Sequence, residues 1–386
     1  MDDVMSKGIY DSLGVTELVN AAGPYTAIGG SRMSDKTLAA MSEAAQNYVD
    51  TRDLQRAVHQ RIADLTHNQA AYVSNGAACG LMLCTAAAVS MKLGKSFELL
   101  KREDIADCEV AILRAHRNPY DWAFHFAGVS LHEIGYPNYL QIPDKARLIE
   151  EIGPKTVAIY YAFGPAGGWL PEGAPAFEIV AEVAREKGIP LIVDAAAQLP
   201  PKSNLWEISN AGANAVLFSG GKDLCGPQSS GLIVGDKAFL EKVTEIGFPN
   251  YGLGRMFKVG REELVGLLSA IEQYLERDED QLAQVAERVV ELFCQALHGS
   301  SICKASRAFP NEAGQPVARV KIAPLTMNAD ELQATLLAGI PSVFAGVERG
   351  ALYINPMTLA EDEVGIVLNR LQDIEKTTRS YSPDVL

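Results

Sequence analysis

The chain has 386 residues, 48% of them apolar, which is enough for a large core in one or two domains. With 34 Lys and Arg against 48 Asp and Glu, its net charge is −14. No run of basic residues forms a stripe, so nucleic acid and anionic membrane are set aside as main partners, and a small-molecule substrate is expected.

The chain opens with Met1-Asp2-Asp3-Val4, without the basic and apolar regions of a signal peptide, and no apolar run is expected to reach a membrane span. Residues 1–30 read as an extended arm with no obvious place in a core, holding a short strand over Leu18-Val19-Asn20-Ala21-Ala22-Gly23-Pro24-Tyr25 that ends in a Gly-Pro turn, and then Gly29-Gly30-Ser31-Arg32. Helices are expected from Ser34 and over 54–65, where Leu54, Val58, Ile62 and Leu65 share a face. Short apolar runs then alternate with helices. Strands are read at 70–73, 110–113, 129–134, 156–161, 190–194 and 215–218, with a helix over 174–187 and an antiparallel return strand at 231–235. Past residue 260 come helices over 262–277 and 280–297, strands near 302–309 and 316–323, a helix near 329–338, strands at 342–348 and 351–355, and a helix over 360–376. The fold class is α/β: a mainly parallel sheet with helices on both faces, plus a smaller α+β domain. The expected division is an arm and helix at 1–50, a large domain at 51–260 and a small C-terminal domain at 261–386.

Six cysteines, at 79, 84, 108, 225, 294 and 303, show no Cys-x-x-Cys spacing and read as reduced thiols of a cytoplasmic protein. His132-Glu133 is not followed by a second His at helical spacing, and no metal site is expected.

Two junctions carry chemistry. The run Ala215-Val216-Leu217-Phe218 ends in Ser219-Gly220-Gly221-Lys222, and Leu191-Ile192-Val193 ends in Asp194. A lysine and a carboxylate at the C-terminal ends of two buried strands suit pyridoxal 5'-phosphate (PLP). That cofactor needs an amine for its aldehyde and an anion for its ring nitrogen. Taken alone, each reads first as structural, the lysine as a solvated loop residue and the aspartate as a helix cap. Ser74-Asn75-Gly76-Ala77-Ala78 opens a helix, where backbone N–H groups and the helix dipole hold a phosphate, and Ser219 could add a hydroxyl. His116 either stacks on the cofactor ring or caps a turn. Ala196 is small enough to pack on the other ring face, and Gln198 either bonds the ring hydroxyl or caps a helix.

The order Ser-Asn-Gly-Ala-Ala, Arg-Ala-His-Arg-Asn, Val-Asp-Ala-Ala-Ala-Gln and Ser-Gly-Gly-Lys-Asp resembles a fold type I PLP-dependent enzyme. Ile28-Gly29-Gly30-Ser31-Arg32-Met33, the segment 222–231 and Ile354-Asn355-Pro356-Met357-Thr358-Leu359 resemble the selenocysteine-synthase-like branch, which holds L-seryl-tRNA selenium transferase and D-glucosaminate-6-phosphate ammonia-lyase. The resemblance implies Lys222 as the cofactor-binding lysine and Asp194 as the ring-nitrogen partner. It also implies Gly76, Ala77 and Ser219 at the phosphate, His116 against the ring, and a homodimer in which 1–30 and 226–231 reach a neighbouring site. No counterpart of the extra N-terminal region and basic surface of the selenium transferases is expected. The expected reaction is therefore elimination from a β-hydroxy α-amino acid, a class that includes sugar-derived, phosphorylated amino acids, to a 2-oxo acid and ammonia, with Lys222 taking the α-proton. Arg32, Arg117 and Arg255 are candidates for a substrate anion, although each taken alone reads first as a surface ion pair. An aminotransferase, racemase, aldolase or β-replacement enzyme shares these features, and a non-catalytic PLP-binding regulator is the alternative of another class.

Overall fold

The computed structural model of the chain describes residues 8–166 and 169–380. In chain order, helix α1 (Ile9–Leu13) and strand β1 (Leu18–Asn20) come first, followed by α2 (Asp35–Gln46), α3 (Thr51–Leu65), β2 (Ala70–Ser74) and α4 (Gly76–Leu93). Next are α5 (Arg102–Ala106), β3 (Glu109–Leu113), α6 (Trp122–Phe126), β4 (Ser130–Ile134), α7 (Lys145–Glu151), β5 (Thr156–Ala162) and α8 (Phe177–Lys187). Then β6 (Leu191–Asp194), α9 (Asn204–Asn210), β7 (Ala215–Ser219), β8 (Gly231–Gly235), α10 (Lys237–Ile246) and α11 (Arg261–Glu276). The remainder is α12 (Glu279–Ala296), β9 (Cys303–Ala308), β10 (Arg319–Pro324), α13 (Ala329–Leu337), β11 (Ser342–Phe344), β12 (Gly346–Glu348), β13 (Ala351–Ile354) and α14 (Glu361–Ser380).

The contacts separate two compact units, one comprising Gly29–Arg277 with Glu312–Gln315, the other the remaining segments. The larger unit therefore starts before residue 51 and runs past residue 260. The reason lies in α2 and α11. Gln273 on α11 donates to the Thr37 hydroxyl (3.0 Å), its carbonyl oxygen accepts from the Ser34 hydroxyl (2.8 Å), and Gly266 faces Met41 and Pro227 with no room for a side chain.

Within the larger unit the sheet order is β2-β8-β7-β6-β5-β3-β4. β8 is antiparallel to both neighbours, as the sequence suggests, and the other pairs are parallel. The C-terminal ends of β2, β7, β6 and β5 therefore lie along one edge. Between their polar ends the inner strands are continuous apolar runs because helices cover both faces: Tyr161, Val193 and Val216 enter one core, and Tyr160, Ile192 and Leu217 enter the other.

α4 is apolar around its circumference, and its residues from Gly80 to Ser90 are buried. It is also the one helix among the described residues long and apolar enough to cross a membrane, which corrects the expectation that no run reaches that length. In this fold it is a central core helix, packed in one cluster with β7, β8 and α10.

The smaller unit holds an antiparallel sheet in the order β12-β13-β10-β9 and a parallel pair of β1 with β11. The arm is thus corrected in part. Leu18–Asn20 pairs with Ser342–Phe344, and Val19 and Ala21 are buried with Val343 and Ala345 in the core of this unit. Residues 1–7 lie outside the described residues. The single strand expected over 342–348 is two, because β11 joins β1 while β12 joins β13.

Candidate functional site

The lysine turn is built from glycines that leave no space for side chains. A Cβ on Gly220 would lie 2.0 Å from the Ser230 hydroxyl oxygen, and one on Gly221 would lie 2.7 Å from the Gln228 Cα. The segment 226–231 folds back onto this turn: the Gly220 N–H donates to the Ser230 carbonyl (2.9 Å) and the Gly226 N–H to the Gly220 carbonyl (2.8 Å). Within this loop Gly226, Pro227 and Ser230 are buried, and Gln228 and Ser229 are exposed.

From the other side comes the Gly29-Gly30-Ser31-Arg32 segment. The Ser31 hydroxyl lies 2.6 Å from the Lys222 carbonyl and 3.0 Å from that of Gly221, and the Ser31 N–H donates to Gly221 as well (3.1 Å). Gly30 has φ of +69°, and its absent Cβ would sit 2.4 Å from the Gly221 carbonyl oxygen. Arg32 follows directly and is exposed beside this turn.

Lys222 is half-buried, with its ammonium 5.3 Å from the centre of the Trp169 ring. Burial lowers its pKa below the ordinary lysine range, and the Asp194 and Glu312 carboxylates act in the opposite direction. A lowered pKa makes a lysine amine a better candidate for nucleophile and base. Glu312 belongs to the segment 312–315, which three hydrogen bonds tie into this region: Trp169 N–H to the Glu312 carbonyl (3.1 Å), the Gln198 amide to the Ala313 carbonyl (2.9 Å), and the Gln315 amide to the Leu199 carbonyl.

Asp194 ends β6, opposite Leu217 on β7 and Ala162 on β5. One carboxylate oxygen accepts from the Ala196 N–H (3.0 Å) and the other from the Tyr160 hydroxyl (3.2 Å). His116 is 2% exposed, and its Nδ1 accepts from the Ala162 N–H (3.2 Å), which leaves Nε2 as the protonated nitrogen. Burial pushes its pKa down to about 4, so the ring is neutral near pH 7. Its ring packs edge-on against Tyr161 at 4.4 Å. Gln198 is buried, and its amide donates to the Ala313 carbonyl (2.9 Å).

The row Ser74–Gly231–Ser219 crosses β2, β8 and β7 in register. Gly231 makes this row tight, since a Cβ there would lie 2.4 Å from the Gly76 carbonyl carbon and 2.7 Å from the Ala77 nitrogen. Gly76 has φ of +75° and opens α4, and Asn75 makes no side-chain cap, its amide donating instead to the Lys258 carbonyl (3.2 Å). The first turn of α4 thus lacks the side-chain oxygen that usually satisfies a helix N-terminus, as an anion would. The Ser74 hydroxyl donates to the Gly76 carbonyl (2.9 Å) and shapes the turn from within.

The arginines part company. Arg117 is engaged by Asp121 and Glu133 on the β3–β4 side of the sheet, which is the ion-pair reading. Arg255 is exposed, with its guanidinium over Phe248 at 5.5 Å. Only Arg32 emerges at the lysine turn. Among the described residues no group of three or more His, Cys, Asp or Glu could hold a metal ion.

Tyr160, Trp169 and Glu312 were not singled out from the sequence, and Ser31 and Asn118 stood there only as members of longer motifs. Tyr160 had a usable signal, since it stands two residues before the end of a strand adjoining that of Asp194. Glu312 had none, because it lies 90 residues beyond Lys222 in a loop.

These residues fit PLP. A lysine whose pKa burial lowers, a carboxylate held by two donors, and an uncapped helix N-terminus closed by Gly231 are the three fixtures the cofactor requires. A family model, that of L-seryl-tRNA selenium transferase, matches residues 18–359. D-glucosaminate-6-phosphate ammonia lyase of Salmonella typhimurium is 27% identical over 381 residues, covering 96% of this chain and 98% of the relative. A 5'-C-glycyluridine monooxygenase-decarboxylase of Streptomyces is 30% identical, covering 95% and 91%. A solved structure of D-glucosaminate-6-phosphate ammonia-lyase superposes with a TM-score of 0.80 at 25% identity, over 97% of this chain and 99% of that one. A serine palmitoyltransferase of S. paucimobilis with bound PLP shares the fold, at a TM-score of 0.59 and 11% identity over 94% and 88%. The chain belongs to the L-seryl-tRNA selenium transferase family and is a PLP-dependent enzyme of fold type I.

Proposed function

We propose that the protein is a PLP-dependent ammonia-lyase acting on a β-hydroxy α-amino acid, with a sugar-derived, phosphorylated amino acid as the favoured class. The observation that carries this reading is the end-to-end likeness to the ammonia lyase, at a TM-score of 0.80 over 97% of this chain and 99% of that one. Bound PLP would supply an electron sink for the bonds at the substrate α-carbon. Asp194 would hold the ring-nitrogen proton by charge. The N–H groups of Gly76 and Ala77, with the Ser219 hydroxyl, would hold the phosphate. Lys222 would anchor the cofactor, then use its amine to take the α-proton, after which the β-hydroxyl leaves. The buried, neutral ring of His116 would pack against the cofactor plane. Arg32 would meet the substrate carboxylate. A small-molecule substrate rather than nucleic acid suits the charge of −14.

The reading includes a cytoplasmic homodimer. It is supported by six unpaired cysteines and by Tyr48, Tyr251 and Met256 on the larger unit, which are 96%, 81% and 71% exposed. Light scattering tests the assembly.

The 30% identity to the monooxygenase-decarboxylase favours a second reading, in which the α-carbon loses carbon dioxide rather than a proton. One experiment separates the two. The holoenzyme is incubated with a panel of β-hydroxy and sugar amino acids, without any 2-oxo acid acceptor. Equal release of 2-oxo acid and ammonia supports the lyase. Oxygen uptake with carbon dioxide release supports the second reading, and a requirement for a 2-oxo acid contradicts both.

A further inference from the structure

We infer that Tyr160 is a positioning residue for Asp194: its hydroxyl fixes the carboxylate and keeps the shared proton on the ring nitrogen of the bound cofactor. The inference rests on the reading of this site as a PLP site. Tyr160 sits on β5, and the β5–β6 register puts Ala162 opposite Asp194, so Tyr160 shares a sheet face with the carboxylate two positions back. The phenol oxygen lies 3.2 Å from one Asp194 oxygen. The same oxygen accepts from the Asn118 amide at 3.3 Å, and the other Asn118 hydrogen goes to the His116 carbonyl at 3.1 Å. A phenol has one proton. With Asn118 filling its acceptor side, that proton is directed at Asp194. Tyr160 is 1% exposed, and its ring packs edge-on against Phe124 at 5.2 Å, so it has no alternative rotamer in which to bond water. Burial, reinforced by the Asp194 charge, holds its pKa well above the ordinary tyrosine value, so it remains a donor throughout the working range.

The consequence concerns where one proton rests. A carboxylate and a pyridine nitrogen in a buried site share a proton as an ion pair or as a neutral pair. Donors to the carboxylate favour the ion pair. Asp194 has two, the Ala196 N–H and the Tyr160 hydroxyl. Removing the second shifts the proton toward the carboxylate and weakens the electron sink without touching the cofactor's other fixtures.

The test uses Tyr160→Phe, which keeps the ring and its packing. Tyr161→Phe is the control, because that residue faces the opposite core and its hydroxyl donates to the Pro175 carbonyl at 3.1 Å. Each protein is reconstituted with PLP labelled at the ring nitrogen, and the nitrogen resonance is read by NMR. It is expected to move in Tyr160→Phe toward the position found in Asp194→Asn, and to stay at the wild-type position in Tyr161→Phe. Turnover in Tyr160→Phe falls roughly 10-fold with KM little changed, the loss expected for one bond to a charged group. A resonance unmoved in Tyr160→Phe but moved in Asp194→Asn overturns the inference and leaves the site reading standing. A resonance unmoved in both overturns the inference together with the assignment of Asp194.

Discussion

Gly231→Ala tests the phosphate cradle without altering any group that would bond the phosphate. The added Cβ would lie 2.4 Å from the Gly76 carbonyl carbon, 2.7 Å from its oxygen and 2.7 Å from the Ala77 nitrogen. Ordinary contact begins near 3.4 Å, so the overlap approaches 1 Å. Every atom struck is backbone, and no side chain can swing aside. Either β8 or the first turn of α4 must move. Overpacking of this kind costs about 3 kcal/mol, the upper end of the usual range, because both sides belong to a buried sheet and its core helix. The same shift misaligns the Gly76 and Ala77 N–H groups. A hydrogen bond to a charged group contributes about 1.5–3 kcal/mol, so losing one weakens PLP binding roughly 10- to 100-fold. PLP affinity is measured by fluorescence titration of the apoenzyme, and stability by urea denaturation. Gly153→Ala is the control, since a Cβ there meets nothing within 4 Å. Wild-type PLP affinity in a Gly231→Ala protein that shows the expected loss of stability would place the phosphate elsewhere and refute the cradle.

Four further outcomes are expected. Asp194→Asn binds PLP but loses most of its turnover, because an amide cannot hold the ring-nitrogen proton by charge; turnover equal to wild type in a steady-state assay removes Asp194 from that role. Arg32→Ala raises KM for the amino acid, whereas Arg117→Ala leaves KM unchanged and lowers stability by about 1–2 kcal/mol through loss of its partners Asp121 and Glu133; kinetics and urea midpoints on both variants check this. His59 and His116 are both held near pKa 4 by burial, so below pH 6.5 the unfolded chain binds protons that the folded one does not, and stability falls as pH drops toward 4. The loss is roughly 2–4 kcal/mol per histidine across that window, and His59→Gln should flatten the slope in urea melts at stepped pH. Gly365→Ala, at an exposed position in the second turn of α14 with open space around it, stabilises the protein by about 0.5–1 kcal/mol, read as a higher denaturation midpoint.

The strands and their order of types were legible because buried parallel strands are continuous apolar runs ended by polar residues. Leu191–Asp194 and Ala215–Ser219 are of this kind. Lys222 and Asp194 stood out for the same reason: each interrupts the pattern at a strand's C-terminal end. What holds them was not legible. Ser31 reaches the Lys222 carbonyl across 191 residues, and β1 finds β11 more than 320 residues away; no local period encodes such pairings. Tyr160 read as one more apolar strand residue, because only its register beside Asp194 gives its hydroxyl a purpose. The unit boundary near 260 was misplaced for a related reason. The stripe on α11 announces burial but does not say against which layer. The arginines were equal in sequence and unequal in space, since the carboxylates that engage Arg117 are 4 and 16 residues away on a turn and the next strand.

The central claim is that Lys222 carries the cofactor in a site assembled from the ends of β2, β6 and β7. The most direct measurement is to treat the PLP-loaded protein with borohydride, digest it, and locate the reduced pyridoxyl group by mass spectrometry. The account predicts one modified peptide, labelled at Lys222, and no labelled peptide from Lys222→Ala. A label on another lysine, or an undiminished label in Lys222→Ala, would contradict it.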